Sequence, residues 1–246
     1  MPTISFQTSC YQNSYRLLLR DGLLKHYLSL FPETNFLEKT VIINNIKDRD
    51  SMEEAISLLN KNYPDVKYYI AYDEILNALP HFNLSAWDFP IGMFYSIQHF
   101  IGIYYTKADY LFHVSEDNNI DNLNSEFISD CIDILETSDD YISAQPWWGT
   151  DPTKGAIEEA EAEGYILDKF YICKTLSDVI NIYKTKVFKQ DIYHYEHPDS
   201  NKYPLKGGNS FERRVNSYMW TLGKYRAVHR NYNFQYAYYD NVIKGV

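Results

Sequence analysis

Two periods of hydrophobic spacing alternate along the chain. Ile4-Ser5-Phe6-Gln7-Thr8 is a short β-type run closed by the polar cluster Ser9 to Ser14, and the apolar-periodic stretch from Tyr15 to Leu30 predicts a helix. Val41-Ile42-Ile43 reads as a fully apolar strand closed by Asn44-Asn45, and Ser51 to Asn60 starts on a capping serine with Glu54 in the capping-box position. Val66 to Tyr72 predicts a third strand that ends at Asp73-Glu74. Leu79 to Pro90, with its prolines and aromatics, predicts a loop, and Pro90 to Tyr105 an apolar helix. Ala108 to Val114 predicts the fourth strand, which runs straight into Ser115-Glu116-Asp117-Asn118.

The second half is less regular. Leu123 to Thr137 has helical spacing, and Asp140 to Gln145 predicts a strand leading into Pro146-Trp147-Trp148-Gly149. An acidic segment, Glu158 to Glu163, precedes a predicted strand from Tyr165 to Cys173 and a predicted helix from Ser177 to Lys186. After a polar loop from Tyr193 to Asn209, a last helix spans Phe211 to Leu222 and stops at Gly223. Such alternation predicts one α/β, Rossmann-like domain over 1–246, with a mostly parallel central sheet flanked by helices. Ligands of such sheets bind beyond the carboxyl ends of the strands.

Composition narrows the function classes. With 246 residues, 45% hydrophobic and 23% charged, the chain can bury a sizeable core. A net charge of -10 argues against a nucleic-acid-binding face, whereas a compact anion needs only a few cations, backbone N–H groups or a metal ion. Cys10, Cys131 and Cys173 lie far apart without CxxC spacing, which indicates neither a disulfide framework nor a zinc knuckle and suits a cytoplasmic setting. The sequence predicts no signal peptide and no transmembrane segment; peripheral association with a membrane stays open. The 24 tyrosines fill core and surface, or in part stack on sugar rings.

Ser115-Glu116-Asp117-Asn118 sets two carboxylates and an amide at the end of a buried strand. Hard cations such as Mg²⁺ and Mn²⁺ take such oxygen ligands, and an acidic turn capping the next helix accounts for the same residues. Tyr110 to Asn118 resembles the strand plus DxD-type motif of nucleotide-diphospho-sugar glycosyltransferases with the glycosyltransferase A fold. Ile4 to Thr8, Val41 to Asn45 and Thr106 to Asp109 match that architecture in order and spacing. A strict DxD is absent, because Ser115 and Asn118 stand where its acids would be.

The resemblance implies that residues 1–120 form a nucleotide-binding half and 121–246 an acceptor-binding half. It places Thr8, Asn45, Asp73, Glu116 and Asp117 on the nucleotide-sugar, and Asp117, Asn118 and His229 on Mn²⁺ or Mg²⁺. Gly207-Gly208-Asn209-Ser210-Phe211-Glu212 resembles the loop and helix start of family-two-like inverting members, which implies that Glu212 is the general base. Lys206, Arg213 and Arg214 face the diphosphate or form a solvated basic face. Trp147 and Trp148 form an acceptor-side platform or belong to the core. The implied activity is inverting, metal-dependent transfer of a sugar to a hydroxyl of a glycan or glycoconjugate, as in polysaccharide biosynthesis. A nucleotidyltransferase stays open, although Ser9 to Ser14 has no glycine for a phosphate loop. So does a non-catalytic carbohydrate-binding protein on the same fold.

Overall fold

The computed structural model describes residues 2–89, 93–116, 118–149, 164–202 and 210–236. Asp117, the acidic segment Glu158 to Glu163 and the Lys206-Gly207-Gly208-Asn209 loop lie outside them. The strands are β1 (Ile4–Cys10), β2 (Lys39–Ile43), β3 (Lys67–Ile70), β4 (Tyr110–Val114), β5 (Asn118–Asn119), β6 (Tyr141–Trp148), β7 (Tyr165–Leu167), β8 (Phe170–Cys173), β9 (Ile180–Lys184) and β10 (Tyr225–Tyr236). They form one sheet in the order β3-β2-β1-β4-β9-β6-β10-β8-β7, with β5 on β10. β3, β2, β1 and β4 are parallel; β9 is antiparallel to both β4 and β6, and β10 is parallel to β6. The sheet is thus mixed but mostly aligned, and β6 ends at the same edge as β4.

The helices are α1 (Tyr15–Leu19), α2 (Leu23–Ser29), α3 (Arg49–Asn62), α4 (Ala71–His81), α5 (Met93–Tyr105), α6 (Ser125–Thr137), α7 (Thr185–Phe188) and α8 (Phe211–Leu222). Residues of α1, α2, α3 and α6 share one core with the sheet, and residues of α4, α5, α7 and α8 share another. Every residue of β1 is buried. Strand alternation sends Ile4, Phe6 and Cys10 into the first core and Ser5, Gln7 and Ser9 toward the second. Among the described residues no helix is long and apolar enough to cross a membrane.

Several elements differ from the sequence reading. The helix expected over Tyr15 to Leu30 breaks at Gly22, which has φ 93° and caps α2 from the left-handed region. Asp73 and Glu74 do not end a strand: they sit in the first turn of α4, which reaches to His81 and carries Pro80 near its end. The strand expected over Tyr165 to Cys173 is a hairpin turned at Asp168, φ 49°. The helix expected over Ser177 to Lys186 is β9 followed by α7, because Ile180 and Ile182 bury on one side while Asn181 and Tyr183 bury on the other, a period of two. α8 keeps its predicted span; Ser210 Oγ accepts from Arg213 N at its start, and Gly223, φ 63°, ends it.

Candidate functional site

The carboxyl ends of β1, β2 and β4 open into a cleft of about 770 Å³. Ser9, Asn44, Asn45, Ser115 and Glu116 come from the strand ends, and Phe94, Tyr95 and Gln98 from α5; Tyr11, Gln12, Asn13 and Lys47 complete its lining. Glu116 is nearly buried, and Ser9 Oγ donates to its Oε2 at 2.7 Å. Its charge, after burial itself, pushes the Cys10 thiol far above its usual range. The Tyr27 hydroxyl donates to the main-chain oxygens of Glu116 at 3.2 Å and Asn118 at 2.7 Å, which pins the segment beyond β4 to α2. Asn44 Nδ2 donates to Phe94 O and Gln98 Oε1, both at 2.6 Å, and so ties β2 to α5 across the cleft. Gln12 Oε1 accepts from the amides of Lys47 at 3.2 Å and Asp48 at 3.4 Å, fixing the loop that carries Lys47.

Beside the cleft, the first turn of α8 packs on α5. Phe211 N donates to Ser96 Oγ at 2.9 Å, and the Phe211 ring stacks on His99 with centroids 4.6 Å apart. Glu212, half-buried, follows directly. Burial, and then the charges of Asp178 and Glu212, raise the Tyr183 phenol well above its usual range, so both carboxylates act on one point. The amide of Ser115 donates to Val179 O at 3.0 Å, which locks the start of β9 against the end of β4.

The chain overlaps in part with several solved structures. LgtC, solved as an active-site mutant, overlaps with 11% identity and a TM-score of 0.42 over 87% of this chain and 69% of LgtC. Glucosyl-3-phosphoglycerate synthase from Mycobacterium tuberculosis, in complex with Mn²⁺, UDP and glucosyl-3-phosphoglycerate, overlaps with 13% identity and a TM-score of 0.44 over 76% of this chain and 58% of the synthase. A mycobacterial protein overlaps with 11% identity and a TM-score of 0.47, over 95% of this chain and 65% of its own. The chain thus spans roughly three fifths of the synthase. No family model matches the sequence, and no curated protein does. These overlaps are partial.

Of the residues singled out from sequence, Asn45 and Glu116 line the cleft. Asn45 does so with φ 50°, a left-handed conformation that asparagine tolerates well. Thr8 does not: β1 continues two residues beyond it, Thr8 is fully buried with no hydrogen-bond partner for Oγ1 among the described residues, and Ser9 takes the lining position. Asp73 is exposed on α4, away from the lining. Asn118 is buried in β5, where its Nδ2 donates to Ser115 O at 3.0 Å. His229 is buried on β10; its Nε2 meets Asp130 Oδ2 at 3.1 Å and its Nδ1 accepts from Asn231 N at 3.1 Å, so both ring nitrogens are committed away from a metal. Arg214 is buried and donates to Tyr193 O and Asp88 O, so it braces loops instead of facing a diphosphate. Trp147 lies in a small core with Tyr171, Cys173 and Val228, whereas Trp148 is 60% exposed at the end of β6. Among the described residues no three His, Cys, Asp or Glu side chains converge as a metal site would require.

The lining residues not assigned from sequence come from strand ends, loops and α5, among them Tyr11, Gln12, Lys47, Phe94, Tyr95 and Gln98. The polar run after β1 was a signal for the first two. The α5 residues gave none, because an apolar helix looks alike whether its first turn meets a core or a cleft.

Proposed function

We propose that this chain is a glycosyltransferase that moves a sugar from a nucleoside-diphosphate donor to a hydroxyl of a glycan or glycoconjugate. The observation that carries the reading is the cleft at the carboxyl ends of three parallel strands, with Glu116 at the end of β4. Its aromatic side chains suit a base, its amides suit base and ribose edges, and Lys47 suits a phosphate. Residues 1–120 serve the donor. Trp148, at the same sheet edge across β9, serves the acceptor together with other residues of 121–246.

Glu116 supplies one carboxylate at the cleft and Asp117 follows it, a donor set of the kind that Mn²⁺ or Mg²⁺ takes with substrate phosphates. Such an ion would offset charge on the leaving diphosphate. His229 is left out of this set because both its ring nitrogens are engaged elsewhere, whereas the bond of Asn118 Nδ2 to Ser115 O leaves its amide oxygen as a candidate ligand.

In the transfer, the acceptor oxygen forms a bond to the anomeric carbon as the bond from that carbon to the diphosphate oxygen breaks. The electron pair leaves with the diphosphate, and Glu212 takes the hydroxyl proton, giving inversion. Buried cysteines outside any disulfide at Cys10, Cys131 and Cys173 suit work in the cytoplasm, and polysaccharide biosynthesis is the natural setting. Calorimetry with Mn²⁺ and a panel of nucleoside diphosphates, followed by hydrolysis assays with the matching nucleotide-sugars, tests the reading. Saturable nucleotide binding with sugar release is expected. Binding of nucleoside triphosphates with pyrophosphate release, or of glycans alone, would replace it.

A further inference from the structure

The side of the sheet that faces α5 carries a buried polar row. Gln7 on β1 lies opposite His113 on β4, and His113 opposite Asn181 on β9. Gln7 Nε2 sits 3.1 Å from His113 Nδ1 and donates to Gln98 O at 3.0 Å; the His113 ring lies 4.3 Å, centroid to centroid, from His99 on α5. His99 Nδ1 meets the Tyr183 hydroxyl at 3.3 Å, and its Nε2 points at Asp178 Oδ2, 3.7 Å away.

Asp178 differs from the rest of this row. Its side chain is 22% exposed where that of His99 is 1%, so it reaches solvent while the rest of the row does not. The 3.7 Å to His99 is longer than a hydrogen bond, and among the described residues no side chain donates one to the Asp178 carboxyl. Burial, and then the neighbouring His113 ring, hold His99 well below its usual range, so it faces Asp178 as a neutral ring and forms no ion pair. Burial also lifts the Asp178 carboxyl to about 6, with only its own main-chain amide acting the other way. A desolvated carboxyl without a side-chain donor costs stability, and such a cost is the mark of a group kept for a ligand. Its position fits: Asp178 precedes Val179, which is bonded to Ser115 at the end of β4, and Glu212 acts on the same Tyr183.

We infer that Asp178 receives a hydroxyl of the sugar acceptor, accepting its hydrogen bond on the exposed side of the carboxyl, away from the neutral His99 ring. The inference rests on the transfer proposed above and adds a second acidic residue to it. Glu212 takes the proton; Asp178 holds the hydroxyl-bearing ring. His99 from α5 faces Asp178, with His113 of β4 behind it, and the charges of Asp178 and of Glu212 from α8 both act on Tyr183 of β9. The ligand class is neutral and polyhydroxylated, because an anion would meet two carboxylates.

The test is Asp178→Asn, with Asp178→Glu beside it, read in three ways. Thermal unfolding of Asp178→Asn should stay level or rise, since a desolvated charge is removed and no side-chain donor loses its partner. A clear fall would mean a structural role and would overturn the inference. In donor assays, the Asn variant should raise the acceptor KM by about tenfold or more and leave nucleoside-diphosphate affinity unchanged. The Glu variant should recover part of the loss, and an unchanged acceptor KM for Asp178→Asn would also overturn it. The third reading needs no donor: the full chain is titrated with glucose, galactose, mannose and their disaccharides while NMR follows the His99 ring. A shift in the native protein that Asp178→Asn loses supports the inference even if nucleotides fail to bind, and no shift across the whole panel overturns it even if they bind.

Discussion

The two faces of the sheet are built by the same strands and differ in kind. On the side of α1, α2, α3 and α6, β1 contributes Ile4, Phe6 and Cys10 and β4 contributes Tyr110, Phe112 and Val114. Phe112 meets Phe6 at 5.9 Å and Phe31 at 5.2 Å, both edge-on, the arrangement that aromatic quadrupoles prefer. On the side of α5 and α8 the same β1 buries Ser5, Gln7 and Ser9, and β4 buries His113 beside the apolar Leu111. The first face gains free energy from removing apolar area from water. The second gives some of it up to groups that need partners, and the polar row ends where the cleft and Asp178 begin. Both faces therefore carry apolar core, and only the second also carries the polar row that leads to the cleft.

Five changes test this contrast, from the largest expected effect down. Phe112→Ala should destabilise the apolar face by about 3–5 kcal/mol, read as a lower urea midpoint, because a fully buried ring leaves a cavity among other rings. If it costs under ~1 kcal/mol, the faces are not different in the way described.

The polar face should carry the acid sensitivity. Burial lowers His113 to about 3 in the folded state, from an ordinary value of 6.5. Its folded pKa lies below its unfolded one, so the stability it permits is complete above 6.5 and is lost as pH falls toward 3. The loss should reach at most a few kcal/mol, about 1.4 per unit of difference. His113→Gln should flatten that acid limb in denaturant titrations at a series of pH values, and an unaltered limb would place the sensitivity elsewhere.

Glu212→Gln keeps shape and removes the basic lone pair, so turnover should fall by about 10²-fold with nucleotide affinity intact. Near-normal turnover would remove Glu212 from the chemistry. Gly102→Ala probes the fit between α5 and the polar row: a Cβ there would collide with Gln7 Oε1, forcing the carboxamide off Gln98 O and His113. Helix propensity contributes about 1 kcal/mol in the other direction, so the net loss should be roughly 1–2 kcal/mol, and adding Gln7→Ala should recover part of it in a double-mutant cycle. Trp148→Ala should change stability by no more than about 0.5 kcal/mol, since the ring is mostly exposed, while weakening acceptor use. A large loss of stability would return Trp148 to the core beside Trp147.

Elements whose signals are local were legible in the amino-acid sequence. β4 is an apolar run ending at Ser115-Glu116, and α8 carries its own start at Ser210 and stop at Gly223; both lie where periodicity and capping put them. Asn45 and Glu116 could be read as cleft residues because they stand where strands end. Folding in three dimensions settled the rest. β9 is a reversed strand between β4 and β6, and no local signal says so, since Ile180 to Lys184 holds five residues and its period shows only in burial from both sides. In the same way, His229 bonds Asp130, Trp147 is core while Trp148 is not, and Phe94, Tyr95 and Gln98 of α5 close the cleft. The physical reason is one of range: propensity, capping and turn chemistry act within a few residues, whereas the facing of strands and the partners of buried polar groups depend on segments that meet only when the chain is folded.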